Sequence, residues 1–330
     1  MKKIVLFCLF VIVSFININI FAYSINKDDY IYVGGQSIGL DVKTNVCVVG
    51  TYGIELDGKI YKPWQDAKIK DGDYIIKYAN TKITDAKSLE EAVKVNGSKE
   101  NDITIKRNNY IIDTKIKPVL KNNIISLGLY IKDNILGVGT LTYYLPKYNL
   151  FGSLGHKLTN NEIYGGNIYN ATINSIIKSK RNSAGEKRAS ITGEAIGDIL
   201  KNTISGVHGR ATIDTKQMVL MQYKKREEVH TGDAYIRTCI EGNKVEEFSI
   251  RITKCYNQKQ KDIKGMKIEV TDERLISKTG GIIQGMSGSP IIQDNKLVGA
   301  LTHVILSNPL EGYGIYLEFM YDDLDINISE

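Results

Sequence analysis

From Asn122 onward the chain breaks into short runs rich in Ile, Val, Thr and Tyr, each closed off by glycine. "LGVGTLTYYL", "GGNIYNATINSII", "EEFSIRITKCY", "KLVGALTHVIL" and "GYGIYLEFM" are examples. Strands this short, at this spacing, cannot form a helical bundle. They predict an all-β barrel or sandwich of roughly 200 residues. One helix is expected within it, near "GEAIGDILKN" (Gly193 to Asn202), and a frayed acidic tail, "YDDLDINISE", after it.

The segment before Asn122 reads differently. Over residues 24–120 the order is strand, glycine loop, strand, Gly-Asp turn, strand, helix, hairpin. The helix is expected in "DAKSLEEAVKV", where Leu89, Ala92 and Val93 repeat at helical spacing and Asp85 and Ser88 are both N-cap candidates. The hairpin is expected in "DITIKRNNYIIDTKIKPV" around Asn108 and Asn109. A length of 330 residues suits two such domains.

Residues 1–23 form a third part. Lys2 and Lys3 precede a mostly apolar run, Ile4 to Tyr23, and Ala22-Tyr23-Ser24 is a small-x-small triplet. This predicts a signal peptide or a single transmembrane anchor, with the body of the chain outside the cytoplasm.

Charge and cysteine usage narrow the function classes. The net charge is +6, but Lys and Arg are scattered, and the densest basic run, "KSKRNSAGEKR" (Lys178 to Arg188), is broken by Ser, Gly and Glu. A solvated loop is expected there rather than a nucleic-acid surface. None of the four cysteines forms a CxxC pair, which argues against a zinc ribbon, and no metal or other cofactor is expected. The spacing of Cys239 and Cys255 is compatible with a disulfide and equally with two buried thiols.

"GMSGSP" around Ser287 carries the candidate chemistry. A serine hydroxyl needs a base, a group orienting that base, and donors for the oxyanion. Gly285 and Gly288 permit a tight turn, and the N–H groups of Gly285 and Ser287 are candidates for the oxyanion hole. Such turns also occur without catalysis, so the motif alone decides little. Of four histidines, His156 in "YNLFGSLGHKLTN" lies in a glycine-flanked loop and is the best candidate base. His208 reads as an exposed turn, His230 as surface, and His303 as a strand residue. Asp272, fifteen residues before Ser287, is the modest favourite among the aspartates.

Two resemblances add to this reading. Residues 24–120 resemble a PDZ domain of the bacterial protease type, through "DAKIKDGDYIIKYANTKITDAKSLEEAV". The resemblance makes "SIGL" (Ser37, Ile38, Gly39, Leu40) the peptide-carboxylate loop. The stretch "TDERLISKTGGIIQGMSGSPIIQDNKLVGALTHVILSNPLEGYGIYLEFM", with "LGLYIKDNILGVGTLTYY" and "YNLFGSLGH", resembles the SpoIVB peptidases, PDZ-containing serine proteases of sporulation.

That resemblance implies a mainly β, multidomain chain: a PDZ-like α/β domain followed by a chymotrypsin-like double β-barrel protease domain over residues 121–330. It implies a triad of His156, Asp272 and Ser287. It also implies a membrane-targeted endopeptidase that cleaves itself and a regulatory protein. That cleavage would release a membrane metalloprotease and activate a mother-cell sigma factor, from the space between the forespore and mother-cell membranes. The competing reading is a non-catalytic PDZ and protease-like scaffold. In a double-barrel fold the strand after the nucleophile lines the substrate pocket, so His303 is a candidate pocket donor, against a plain packing role or a backup base.

Overall fold

The computed structural model describes residues 23–26, 30–108, 110–160, 163–324 and 326–329. The expected membrane segment, residues 1–23, lies outside these except for Tyr23. Among the described residues no helix is long and apolar enough to cross a membrane.

Twelve strands make two antiparallel barrels. The first uses β1 (Ser37–Thr51), β2 (Leu129–Leu145), β3 (Leu150–Ser153), β4 (Ile163–Ile177), β5 (Glu186–Thr203) and β6 (Gly206–Ala211). Their pairings close a ring in the order β1-β2-β3-β6-β5-β4 and back to β1. The second barrel uses β7 (Gly232–Thr238), β8 (Glu246–Cys255), β9 (Met266–Val270), β10 (Pro290–Gln293), β11 (Lys296–Ile305) and β12 (Asn308–Tyr316). It closes in the order β7-β8-β9-β12-β11-β10. Closure removes the free edges that would otherwise invite aggregation. The expected double β-barrel is therefore present.

The α/β unit does not precede the first barrel; it is inserted into it. Ile38, Leu40 and Val42 of β1 belong to a core shared with Leu141, Phe151, Ile168 and Val207. Val46 and Val48, later in the same strand, belong to a separate core with Ile75, Tyr78, Ile83, Leu89 and Ile103. β2 does the reverse: Leu129 and Ile131 pack on the small core, and Leu141 on the barrel core. The expected boundaries at 24 and 120 thus cut through barrel material at one end and leave part of the small unit outside at the other. Local patterning could not show this, because a strand crossing from one core to another stays one strand.

Inside the inserted unit the expected helix is α1 (Ala86–Asn96). Asp85 caps it, accepting from the Ser88 N–H, while the Ser88 hydroxyl accepts from the Asp85 N–H. The expected hairpin pairs Asn101–Arg107 with Tyr110–Ile116. A short helix, Pro63–Asp66, starts on its proline, which needs no N–H partner there.

The helix expected over Gly193 to Asn202 is instead the body of β5, paired with β4 on one side and β6 on the other. A Cβ at Gly197 would lie 2.4 Å from the Arg210 carbonyl oxygen, so this residue is needed for close strand approach. Ladder pairing on both edges outweighs the modest helix propensity of the segment. The tail is less frayed than expected: Leu317–Asp322 is helical and Tyr321 is fully buried. Cys239 and Cys255 are free thiols.

Candidate active site

Ser287 sits in the turn that leads into β10. Gly285 and Gly288 flank it, each with φ of +89°, a left-handed conformation that side chains resist. A Cβ at Gly288 would lie 2.1 Å from the Thr140 carbonyl oxygen and 2.4 Å from the Leu154 nitrogen, so bulk excludes other residues there too.

The first barrel holds this turn from below. The Thr140 N–H donates to the Ser287 carbonyl at 3.0 Å. The Thr140 hydroxyl donates to the Gly285 carbonyl at 2.8 Å, and the Thr142 hydroxyl to the Gly288 carbonyl at 2.7 Å. From the second barrel, the Gly288 N–H donates to Leu301 at 2.8 Å. The N–H groups of Gly285 and Ser287, by contrast, have no acceptor among the described residues. Two fixed, unsatisfied donors on one turn are what a developing oxyanion requires.

His156 arrives from the first barrel, just after β3. Leu154 and Gly155 before it are both left-handed, with φ of +67° and +68°. A Cβ at Gly155 would be 3.0 Å from the Thr302 methyl, so the loop lies directly against β11. Nδ1 of His156 is 2.9 Å from the Lys157 carbonyl oxygen. A carbonyl can only accept, so Nδ1 carries the proton and Nε2 keeps the lone pair a base needs. Burial lowers the His156 pKa, and the Lys157 carbonyl partly restores it.

The Ser287 hydroxyl donates to the Thr302 carbonyl at 2.9 Å. The Ser287 proton is thus directed at Thr302 rather than at a histidine. Next to Thr302, the His303 ring lies 4.7 Å from the His156 ring, centroid to centroid, tilted by 46°. Desolvation, His156 and Lys264 all push the His303 pKa down.

The structure does not bring Asp272 to His156. Asp272 caps α2 (Glu273–Thr279), accepting from the Arg274 N–H at 3.0 Å. Its other oxygen takes the Arg274 guanidinium at 2.8 Å and the Ser249 N–H at 3.2 Å. Arg274 is the main reason its pKa is lowered. Cap and ion pair account for this carboxylate, which corrects its expected role as the orienting acid.

The peptide-binding loop expected at Ser37, Ile38, Gly39 and Leu40 is also corrected. These residues open β1 and are paired with β2 on one side, and from Ile38 with β4 on the other. Their backbone donors are committed to a closed barrel, and Ser37, Ile38 and Leu40 are buried. A glycine in "SIGL" suggested a loop; in fact a Cβ at Gly39 would lie 2.5 Å from the Ile191 side chain. The groove of the inserted unit lies elsewhere, between α1 and residues 123–131. It has a volume of about 500 Å³, with Leu89, Val93, Ile125, Leu127, Leu129 and Ile131 along it.

His208 is fully buried, not an exposed turn. The Ser205 hydroxyl donates to the Asp323 carboxylate and lies 3.3 Å from Nε2 of His208. This trio has the composition of a triad in the wrong order. The serine stands between the histidine and the acid, already donating its proton to the acid, and is wholly buried. It ties the C-terminal segment to the first barrel. The basic run at Lys178 to Arg188 hid another buried group: Lys187 is inside the protein.

A serine on a glycine-flanked turn, two free N–H donors and a histidine loop from the facing barrel are the parts a serine peptidase uses. The family model for SpoIVB peptidase S55 matches residues 123–321, and the chain belongs to that family. No curated protein matches it in sequence. Among solved structures, the active form of the Rv3671c protease from M. tuberculosis is similar over 59% of this chain and 76% of that one. The identity is 13% and the TM-score 0.34, a likeness too loose to define fold or chemistry.

Proposed function

We propose that the chain is an endopeptidase in which Ser287 attacks, His156 takes its proton, and the N–H groups of Gly285 and Ser287 hold the oxyanion. The observation that carries this is the pair of unsatisfied N–H donors beside a serine whose loop is clamped by both barrels. The Lys157 carbonyl fixes the tautomer of His156, the part an aspartate would otherwise play. Attack moves the Ser287 proton to Nε2 and joins Oγ to the peptide carbonyl carbon, whose π electrons pass to the oxyanion; collapse of the oxyanion breaks the carbon–nitrogen bond and leaves an ester on Ser287. His156 then returns the proton to the departing amine, and water repeats the cycle on the acyl-enzyme.

His303, on β11, the second strand after the nucleophile, and against the base, helps to choose the substrate side chain. The groove between α1 and residues 123–131 takes an extended peptide of a protein substrate or of another copy. By family, the substrates are the chain itself and a regulatory protein of sporulation signalling. Residues 1–23 carry the enzyme to the membrane, and its work is done on the far side. The test is self-cleavage of the full chain on a gel, wild type against Ser287→Ala. Persistent processing in the variant would overturn the assignment.

A further inference from the structure

Lys187 lies near the start of β5, buried, with no carboxylate partner among the described residues. Buried ammonium groups without an anion are uncommon, because desolvation opposes the charge. Three hydroxyls take its three N–H donors instead. They are Thr238 at 2.8 Å, and Ser37 and Thr140 at 3.4 Å each. These come from three strands, two in the first barrel and one in the second. Lys187 therefore stands at the junction of the barrels.

It also stands directly under the catalytic turn, by three connections. Its main-chain N–H donates to the Gln284 carbonyl at 3.0 Å. That carbonyl and the Gly285 N–H are opposite ends of one planar peptide, so holding the oxygen aims the hydrogen. Its aliphatic stem fills the space on which Gly285 rests: a Cβ there would be 3.1 Å from Cβ and Cδ of Lys187. Its ammonium reaches Thr140, whose hydroxyl donates to the Gly285 carbonyl.

We infer that Lys187 is a positioning residue for the oxyanion hole, fixing the Gln284–Gly285 peptide and placing a positive charge behind it. It touches no substrate. It acts through Gly285, from strand to peptide plane to donor. Burial also lowers the Lys187 pKa to about 8, opposed by the facing Cys239 thiol, the titratable group packed against it from the second barrel, whose own pKa burial raises. The charge behind the hole is thus lost under mildly alkaline conditions, while His156 remains a competent base.

This inference rests on Ser287 being the nucleophile, and the test separates the two. The full chain is treated with a fluorophosphonate probe, which phosphonylates an activated serine and develops negative charge in the same hole. Ser287→Ala must abolish labelling; if it does not, the proposed function fails. Lys187→Met is expected to lower kinact about 10- to 100-fold, with KI unchanged, a smaller loss than deleting a donor outright. Thr140→Val, which cuts the link to Gly285, is expected to lower kinact in the same direction. In the wild type kinact is expected to fall above pH 8, and this limb to vanish in Lys187→Met. A folded Lys187→Met or Thr140→Val with kinact within about twofold of wild type overturns the inference. So does a change in KI alone, or a wild-type kinact that stays flat from about pH 7 to 10.

Discussion

The rings of His156 and His303 face each other at 4.7 Å, and each holds the other partly out of water. Both have pKa values below the ordinary histidine value, chiefly through desolvation. His303→Ala uncovers His156, so the His156 pKa rises toward about 6.5. The acid limb of kcat/KM then moves to higher pH, which a pH–rate profile reads directly. Cleavage-site preference in the same variant tests the pocket role. A profile and a preference both unchanged would remove His303 from the site.

Asp272→Asn separates a cap from a catalytic acid. Asparagine can still cap the helix, so losing the charge mainly weakens the Arg274 pair and the charge at the helix N-terminus, for a loss of up to about 1 kcal/mol in stability. The depressed Asp272 pKa contributes stability above its unfolded value, and that contribution is lost as pH falls through the folded value. The variant is therefore less stable at neutral pH and closer to wild type in strong acid, as urea melts would show. Activity per folded molecule falls less than tenfold. A loss of several thousandfold with stability intact would restore Asp272 as the orienting acid.

Gly288→Ala meets both a left-handed φ and the Thr140 carbonyl oxygen at 2.1 Å. The turn must shift, and with it Ser287. Fluorophosphonate labelling is expected to disappear even in molecules that remain folded by circular dichroism. Full labelling would show that the clamp from Thr140 and Thr142 does not set the serine's position.

Acid should weaken the fold before carboxylates titrate. Burial pulls the His208 pKa down to about 4, so the folded state keeps it neutral while the unfolded chain protonates near 6.5. The unfolded state binds more protons across that window, and stability falls as pH drops through it. At pH 5 the loss is about 2 kcal/mol from this residue. His208→Gln flattens the dependence between pH 7 and 5 in urea titrations. An unchanged slope would place the acid sensitivity elsewhere.

The sequence displayed what is local. The turn at Ser287, the loop at His156 and the cap at Asp85 are each set by a few adjacent residues, and all three stand where patterning put them. It hid what depends on distant pairing. Ser37 to Leu40 are a loop only by the PDZ resemblance; the residues themselves are β-rich, and the partner strands β2 and β4 that claim them lie far along the chain. Residues 193–202 read as a helix for the same reason. Lys187 looked like one more charge in a basic run, since nothing beside it reveals that three hydroxyls from other strands enclose it. Asp272 follows a strand and matches the family motif, yet Arg274, two residues on, holds its carboxylate at 2.8 Å.

The most direct measurement is the site of covalent capture. The full chain is labelled with a fluorophosphonate, digested, and the adduct mapped by mass spectrometry, in wild type, Ser287→Ala, His156→Ala and Asp272→Asn. An adduct is expected on Ser287 alone, absent from Ser287→Ala, nearly absent from His156→Ala and retained in Asp272→Asn. An adduct on another serine, or undiminished labelling in His156→Ala, would contradict the roles assigned to Ser287 and His156.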